Sequence, residues 1–275
     1  MTELSAMLTD GQVERYRTDG FAVVRHFLNL TEVAEIRGAF MDFIANGPVA
    51  GLCDAGYKFS HGDPLARYPR VMQPHRHRSL PIGQLAMRYL LDRRTESVLR
   101  DLHGEEPIAA QSMFYYKPPG ARGQALHQDN FYLRVKPGTC TAAWIAIDDA
   151  TPENGGMVVV PGTGEMPVAC PQTADNDRFF TRDYVPVPDG LTATPVLLSA
   201  GDALFFTGSL IHGSNPNTSD RFRRAFICHY VPRSCVEVSH WYRPLLSFDG
   251  NEVNIEDAMG GGPCGELADS EKGPH

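Results

Sequence analysis

The tripeptide His127-Gln128-Asp129 combines residue types and a spacing that could bind a metal ion. In an extended strand, alternate side chains point to the same face, so His127 and Asp129 would project together while Gln128 points away. An imidazole beside a carboxylate is part of the set of two histidines and one carboxylate that suits non-haem Fe(II). Alone the tripeptide is a weak signal, because most such triplets are surface or hydrogen-bonding residues.

A second histidine, His212, lies just before a polar turn and a strand predicted over 221–231. By alternation, Arg221 and Arg223 share one face of that strand, and Arg224 lies on the other. An arginine deep within such a strand needs an anion, because an unpaired buried charge is unfavourable. His212 and Arg223 could therefore serve one cavity that holds a metal and a dicarboxylate.

The composition is that of an ordinary soluble globular protein, with 275 residues, 42% of them hydrophobic and 21% charged. A formal net charge of −8 gives no reason to expect nucleic acid or an anionic membrane as a partner. No run approaches the length of a membrane span, and no secretory signal is recognisable, so we expect a cytoplasmic protein. The oligomeric state cannot be read from the sequence.

Six cysteines are scattered without CxxC spacing, which argues against a zinc cluster and a redox motif. We expect free thiols, several of them buried as small apolar residues. They are Cys53, Cys140, Cys170, Cys228, Cys235 and Cys264.

Helices are predicted in the N-terminal third and short strands beyond it. A capping box at Thr9 and Gln12 begins a helix that Gly20 ends, and apolar residues at helical spacing predict helical regions over 31–44 and 82–103. Many short strands after a helical region predict a mainly β fold with flanking helices, for which a jelly roll is one solution. Strands are predicted at 21–24, 108–116, 124–131, 140–148, 156–160, 194–199, 203–207 and 221–231.

A single domain is predicted over 1–258, with N-terminal helices at 1–106, a core at 107–232 and an extension at 233–258. The Gly-rich, polar end at 259–275 is expected to be disordered.

The order and spacing of four motifs resemble those of the phytanoyl-CoA dioxygenase family, whose members are Fe(II)- and 2-oxoglutarate-dependent oxygenases. The resemblance runs from about residue 113 to residue 230 and implies a double-stranded β-helix with flanking helices. The motifs are His127-Gln128-Asp129, Trp144, Asn154-Gly155-Gly156 with Val160-Pro161-Gly162-Thr163, and His212-Gly213-Ser214 with Phe222-Arg223-Arg224-Ala225.

The resemblance implies that His127, Asp129 and His212 are the iron ligands, with no catalytic residue beyond them. It implies hydroxylation of an unactivated C–H bond of a small molecule, with O₂ consumed and succinate and CO₂ formed. Related halogenases replace the carboxylate with a small residue, so Asp129 favours hydroxylation, although desaturation or ring closure could use the same ligands.

The resemblance also implies contacts to 2-oxoglutarate. Arg223 matches the arginine that pairs with its distal carboxylate, whereas Arg221 lies closer to the turn and outside the motif. Ser214, Trp144 and Met113 match further contacts, although Trp144 and Met113 could equally be core residues. A zinc-dependent hydrolase or lyase with the same ligands is an alternative, as is a non-catalytic sensor.

The basic segment 67–78 and a long loop at 163–193 are open to two interpretations each. The basic segment is either a solvated loop or a basic wall that recognises an anion, and the long loop is either a lid or a mobile segment. Possible substrate contacts are His75, Arg76, Asn130, Tyr132 and the long loop. An anionic small molecule and a hydrophobic natural-product intermediate both fit.

Overall fold

Two antiparallel β-sheets of eight and four strands face each other across a cavity in the computed structural model. Apolar side chains from both sheets, among them Trp144 and Met157, pack into one cluster between them. Two such sheets form a jelly roll, so the predicted mainly β fold with flanking helices is confirmed. The structure describes residues 7–53, 59, 62–259 and 264.

Most helices of the described residues precede the first long strand. They are α1 (Asp10–Asp19), α2 (Leu30–Ile44), α3 (Pro64–Arg67), α4 (Pro81–Leu90), α5 (Arg93–His103) and α6 (Asn130–Leu133), with 3-10 segments at Pro74–Arg76 and His240–Tyr242.

The strands, in chain order, are β1 (Phe21–Val24), β2 (Val71–Met72), β3 (Pro107–Tyr115), β4 (Gln124–His127), β5 (Thr141–Ala146), β6 (Met157–Val159), β7 (Gln172–Thr173), β8 (Asp183–Tyr184), β9 (Thr194–Pro195), β10 (Ala203–Thr207), β11 (His212–Ser214), β12 (Ala225–Pro232), β13 (Glu237–Val238), β14 (Leu245–Leu246), β15 (Glu252–Val253) and β16 (Glu256–Asp257). The larger sheet has the order β1-β10-β5-β12-β3-β14-β15, with β2 also paired to β3. The smaller sheet has the order β4-β11-β6-β9, and β7–β8 and β13–β16 form separate pairs.

Helix α2 packs on the outer face of the larger sheet. Its apolar residues recur at helical spacing, and a capping box between Asn29 and Glu32 fixes its start. The ring of Phe40 stacks on Phe114 of β3 with the ring centres 4.1 Å apart, and both side chains are fully buried. Truncating such a phenylalanine costs roughly 3–5 kcal/mol. The helix thereby holds the strand whose other face lines the cavity.

The N-terminal part contributes a strand as well as helices. Helix α1 begins with the capping box of Thr9 and Gln12 and ends at Gly20, as predicted. Strand β1 follows and pairs with β10, so this part of the chain completes an edge of the larger sheet. The helical region predicted over 82–103 is two helices, because Asp92 caps α5 by accepting a hydrogen bond from the Arg94 amide at 2.8 Å.

Two predicted strands have different limits in the structure. The strand predicted over 124–131 ends at His127, and the chain then turns into α6. The strand predicted over 221–231 begins only at Ala225, because the Arg224 amide and Nε donate to Asp148 Oδ2 at 2.9 and 2.7 Å. These bonds hold the preceding residues outside the sheet ladder.

The prediction of free thiols is wrong for two of the six cysteines, because Cys170 and Cys264 form a disulfide across 94 positions of sequence. The other four are free and buried. Scattered spacing cannot reveal a bond between residues that only tertiary structure brings together. Of the tail predicted over 259–275, only Met259 and Cys264 are among the described residues.

The 163–193 loop is tied to the edge of the smaller sheet. Val185 N donates to Leu126 O at 2.7 Å, and Ala125 N donates to Thr181 Oγ1 at 3.0 Å. Within the described ranges, no helix has the length and apolar character needed to cross a bilayer.

Candidate metal centre and anion pocket

Three side chains from separate elements converge in the cavity between the sheets. His127 ends β4, His212 begins β11, and Asp129 stands at the entry to α6. Potential ligand atoms of the three lie within 4.8 Å of one another, and all three residues are buried. The two histidines are directly paired across β4 and β11, so the sheet itself sets their separation. Asp129 arrives differently from the prediction, because its backbone is helical (φ −60°, ψ −34°) rather than extended.

Backbone carbonyls orient both imidazole rings. His127 Nδ1 lies 2.8 Å from Ala125 O, and His212 Nδ1 lies 3.0 Å from Leu210 O. Because a carbonyl only accepts hydrogen bonds, each Nδ1 carries the proton and each Nε2 is the basic nitrogen. The Nε2 atoms of His127 and His212 lie 3.4 and 3.6 Å from Asp129 Oδ1. Metal-binding histidines characteristically donate a hydrogen bond from their other ring nitrogen, as Nδ1 of both residues does here.

The charge states of these groups suit a divalent metal ion. Burial would raise the pKa of Asp129, but electrostatic interactions with the adjacent His212 and His229 and hydrogen bonds to histidines lower it well below its ordinary value. Burial lowers the pKa of His212 to about 4, against an opposing effect of Asp129. A carboxylate and basic imidazole nitrogens are the states that metal binding requires. The donor set of two nitrogens and one carboxylate on one side of an ion fits non-haem iron.

Arg223 lies in the same cavity and is only 2% exposed. Its Nε donates to Gly155 O at 3.1 Å, and its Cζ lies 5.3 Å from the centre of the Trp144 ring. Its Nη1 has no hydrogen-bond partner among the described residues. Burial lowers the pKa of Arg223 to about 10, which leaves it charged at neutral pH. A buried, charged donor with an unused N–H favours an anion at this place.

The residues predicted to contact 2-oxoglutarate all line the cavity that contains the three candidate ligands. They are Met113, Trp144, Ser214 and Arg223. The two competing arginines lie elsewhere: Arg221 is exposed, and Arg224 pairs with Asp148.

Lys117 was not predicted as a site residue, and it lines the space that adjoins the cavity at Arg223 and Ser214. Its Nζ donates to Ser214 Oγ at 2.7 Å, and the side chain is buried. Burial and the charge of Arg223 lower the pKa of Lys117 well below its ordinary value. Strand β3 ends at Tyr115 and the backbone of Lys117 is left-handed, with a φ of +37°, so strand alternation could not have identified this residue.

The absence of a side chain at Gly155 leaves room for the side chain of Lys117. Its φ is +72°, and a Cβ at this position would meet Asn215 O and Lys117 Cε, each at 2.5 Å. Its carbonyl is also the acceptor for Arg223. Gly155 therefore leaves room for Lys117 and accepts a hydrogen bond from Arg223.

Arg70 is the charged residue of the basic segment 67–78 that lines the pocket. Its Nη1 donates to Tyr115 Oη at 2.7 Å, and its Cζ lies 5.2 Å from the ring centres of both Tyr115 and Phe180. It lines a space that adjoins Arg223. The segment therefore supplies one buried cation rather than a continuous basic wall.

His75 and Arg76 lie away from the metal cavity. His75 Nδ1 is 2.8 Å from Ser112 Oγ, and Ser112 alternates with Met113, so it faces away from the cavity. Arg76 is exposed and donates to Trp241 O at 3.2 Å. Their positions give no support to a substrate role.

The two candidates after the tripeptide have different surroundings. Asn130 accepts a hydrogen bond from Val135 N at 2.9 Å and is buried, so it braces the turn after α6. Tyr132 lies closer to the centre, with its ring 6.5 Å from that of His127 and its hydroxyl donating to Asp183 at 2.8 Å. Tyr132 thus joins the metal centre to the 163–193 loop.

A third histidine, His229, was also missed. It lies in β12, and its Nε2 is 3.0 Å from Asp129 Oδ2. Strand alternation places it on the same face as Arg223, and this pattern could have identified it.

A jelly roll with two histidines and one carboxylate between its sheets defines the class of cupin-like proteins with a facial metal centre. The chain belongs to the phytanoyl-CoA dioxygenase (PhyH) family, whose model matches residues 16–225. That match includes every candidate metal ligand and Arg223.

Curated relatives include enzymes of different named activities. Phytanoyl-CoA dioxygenase 1 of Oryza sativa subsp. japonica is 33% identical over 137 residues, which cover 49% of this chain and 48% of the rice protein. The matched part thus spans about half the length of that relative. The methylphosphonate hydroxylase of Gimesia maris is 29% identical over 231 residues and covers 82% of each chain.

Solved structures with the same fold include two enzymes of nogalamycin biosynthesis. The non-haem α-ketoglutarate-dependent epimerase SnoN has a TM-score of 0.67 at 19% identity, covering 92% of this chain and 96% of its own. The carbocyclase SnoK has a TM-score of 0.65 at 22% identity, covering 92% and 94%. At these identities, the similarity shows the fold alone.

Proposed function

We propose that this protein is an Fe(II)- and 2-oxoglutarate-dependent dioxygenase that hydroxylates an unactivated C–H bond of a small molecule, forming succinate and CO₂. The observation that carries the proposal is the combination, in one cavity, of a facial metal-ligand set and a buried arginine with an unused N–H. A co-substrate that chelates a metal at one end and carries a carboxylate at the other fits this combination. The SnoN structure with Fe³⁺ and α-ketoglutarate gives a precedent for both ligands in this fold.

The chain's own residues have distinct roles in this proposal. His127, Asp129 and His212 hold the iron, which together with 2-oxoglutarate supplies the oxidising chemistry. Arg223 binds the distal carboxylate of the co-substrate. Ser214 contributes a hydroxyl donor to the same group, since Lys117 and the Gln124 amide both donate to its oxygen.

The walls of the pocket exclude water and orient the co-substrate. The Trp144 ring lies beside the guanidinium of Arg223, and Met113 lines the same cavity from β3. Both are almost completely buried. Water exclusion strengthens the interaction between Arg223 and a carboxylate, because it lowers the local dielectric constant.

Hydroxylation is the favoured outcome because Asp129 is present among the ligands. Ring closure is a second candidate outcome, since the carbocyclase SnoK shares the fold. A zinc-dependent hydrolase with the same ligands is less well supported, because it leaves Arg223, Ser214 and Lys117 without a role. The substrate is proposed to be a small molecule that meets Tyr132 and the 163–193 loop near the metal.

Oxygen uptake coupled to 2-oxoglutarate consumption tests this function. Purified metal-free protein is loaded with Fe(II) or with Zn(II) and assayed against a panel of small carboxylates, phosphonates, thioesters and polyketide-like compounds. We expect Fe(II)-dependent oxygen uptake matched by succinate formation, stimulated by the true substrate. Substrate turnover with Zn(II) and without oxygen uptake would instead establish the hydrolase.

A further inference from the structure

His229 is a buried imidazole in the metal cavity that the proposed function leaves without a role. It projects from β12, is 1% exposed, and lines the cavity together with the three candidate ligands. Its Nε2 lies 3.0 Å from Asp129 Oδ2. A polar side chain in this position either binds the metal or acts on a group that does.

The neighbour of its other nitrogen decides between these roles. Gln111 Nε2 lies 3.2 Å from His229 Nδ1. An amide nitrogen only donates, so His229 Nδ1 accepts and its Nε2 carries the proton. A protonated Nε2 cannot bind a metal, but it can donate a hydrogen bond to the carboxylate of Asp129.

The two oxygens of Asp129 consequently have different surroundings. Oδ1 faces the Nε2 atoms of His127 and His212, at 3.4 and 3.6 Å. Oδ2 is turned toward the opposite sheet, where His229 holds it. Carboxylates can bind metal ions through one oxygen or through both, and the second mode occupies an additional position on the ion.

We propose that His229 is a positioning residue that restricts Asp129 to binding the metal through Oδ1 alone. The inference rests on the proposed function, in which the co-substrate and O₂ require the remaining positions on iron. Gln111 is the second member of the arrangement, because it fixes the tautomer in which His229 donates. A chain of hydrogen bonds thus runs from Gln111 through His229 to the candidate ligand Asp129.

Three variants test this role. His229→Leu replaces the donor with an apolar side chain, His229→Gln retains an N–H donor near the position of Nε2, and Gln111→Leu removes the bond that fixes the tautomer. For each, Fe(II) affinity is measured anaerobically, followed by the visible charge-transfer absorption that forms on adding 2-oxoglutarate. Thermal unfolding of the metal-free proteins reports folding separately.

We expect Fe(II) to bind roughly 10–100-fold more weakly to His229→Leu, the usual effect of losing a hydrogen bond to a metal ligand. The charge-transfer band should shift in the same variant, because the second carboxylate oxygen can then approach the iron. His229→Gln should recover most of the affinity and the band position, and Gln111→Leu should lie between them. A purely structural histidine would change the unfolding temperature without moving the band.

The role is excluded if folded His229→Leu binds Fe(II) as wild type does and keeps the same absorption band. If that variant does not fold, Gln111→Leu decides, and a wild-type band in it overturns the proposal. Failure of the proposed function is distinguishable, since wild-type protein would then give no band with 2-oxoglutarate. The ranking of Fe(II) affinities among the variants would still confirm or exclude the action of His229 on Asp129.

Discussion

The guanidinium of Arg223 is hydrogen-bonded to the backbone of Gly155 on one side, and on the other side an N–H group is available to a ligand. Its Nε donates to the Gly155 carbonyl at 3.1 Å, whereas its Nη1 has no partner among the residues that the structure describes. The first bond fixes the plane of the fork before any ligand arrives. The Nη1 group is thereby preorganised for an anion, which reduces the entropy lost on binding.

Replacing Arg223 with alanine should weaken 2-oxoglutarate binding by about 2–5 kcal/mol, because the carboxylate of the co-substrate is then buried without its partner. Arg223→Lys should recover only part of the affinity, since an ammonium lacks the planar fork. The measurement is the equilibrium affinity for 2-oxoglutarate with Fe(II) under anaerobic conditions. Arg221→Ala is the matched control, because Arg221 is exposed. Equal affinities of Arg223→Ala and wild type would refute this role.

Replacing Gly155 with alanine should weaken co-substrate binding through Lys117. The added Cβ would meet Lys117 Cε and Asn215 O at 2.5 Å, so the lysine must leave its place beside Ser214. We expect a loss of stability of about 1–3 kcal/mol and a lower affinity for 2-oxoglutarate. Gly162→Ala is the control, because Gly162 has a similar φ of +83° but no atom within 4 Å of its added Cβ. Equal effects of the two substitutions would show that backbone strain alone is responsible.

Co-substrate binding should be coupled to uptake of a proton by Lys117. Burial and Arg223 lower the pKa of Lys117, and Arg70 lines the same space as both. A bound carboxylate would raise that pKa, so affinity for 2-oxoglutarate should fall as pH rises, by up to about tenfold per pH unit. Affinities measured between about pH 6 and 9 would show this slope. Lys117→Met should flatten the profile, whereas a flat wild-type profile would contradict the coupling.

Much of the site could be predicted because its residue types are unusual in their setting and its motifs resemble those of the phytanoyl-CoA dioxygenase family. His127, Asp129 and Arg223 lie in or beside apolar strands, where a charge or an imidazole requires a partner. The elements that place them could be predicted less well. Asp129 reaches the centre through a helical turn, because the chain leaves the strand after His127, and local alternation cannot show this.

Lys117 and His229 were missed for a different reason. Each is given its role by a partner distant in sequence, Ser214 for the lysine and Asp129 for the histidine. Alternation along β12 could have placed His229 on the cavity face, but neither pair follows from local pattern alone, because each depends on how distant parts of the chain are arranged. The basic segment 67–78 was left open to two interpretations, and Arg70 is its charged residue that lines the space beside Arg223, together with Tyr68.

Acid should destabilise the fold through His75, which is buried, and His103, which is partly buried. Burial lowers the pKa of His103 to about 4 and that of His75 to about 3. Below about pH 6.5 the unfolded chain binds protons that the folded chain does not, so the free energy of unfolding should fall as pH drops toward these values. Urea unfolding at several pH values measures the slope. His103→Gln should reduce it, and an unchanged slope would exclude this contribution.

Incorporation of ¹⁸O from labelled O₂ into succinate is the most direct measurement of the central claim. The label distinguishes oxidative decarboxylation of 2-oxoglutarate from any hydrolytic use of the same metal ligands. Wild-type protein with Fe(II) should form labelled succinate, Arg221→Ala should do the same, and His212→Ala should form none above the metal-free background. Labelled succinate from His212→Ala at the wild-type rate, or none from metal-replete wild type supplied with a turnover-supporting substrate, would contradict the assignment of this chain as a 2-oxoglutarate-dependent dioxygenase.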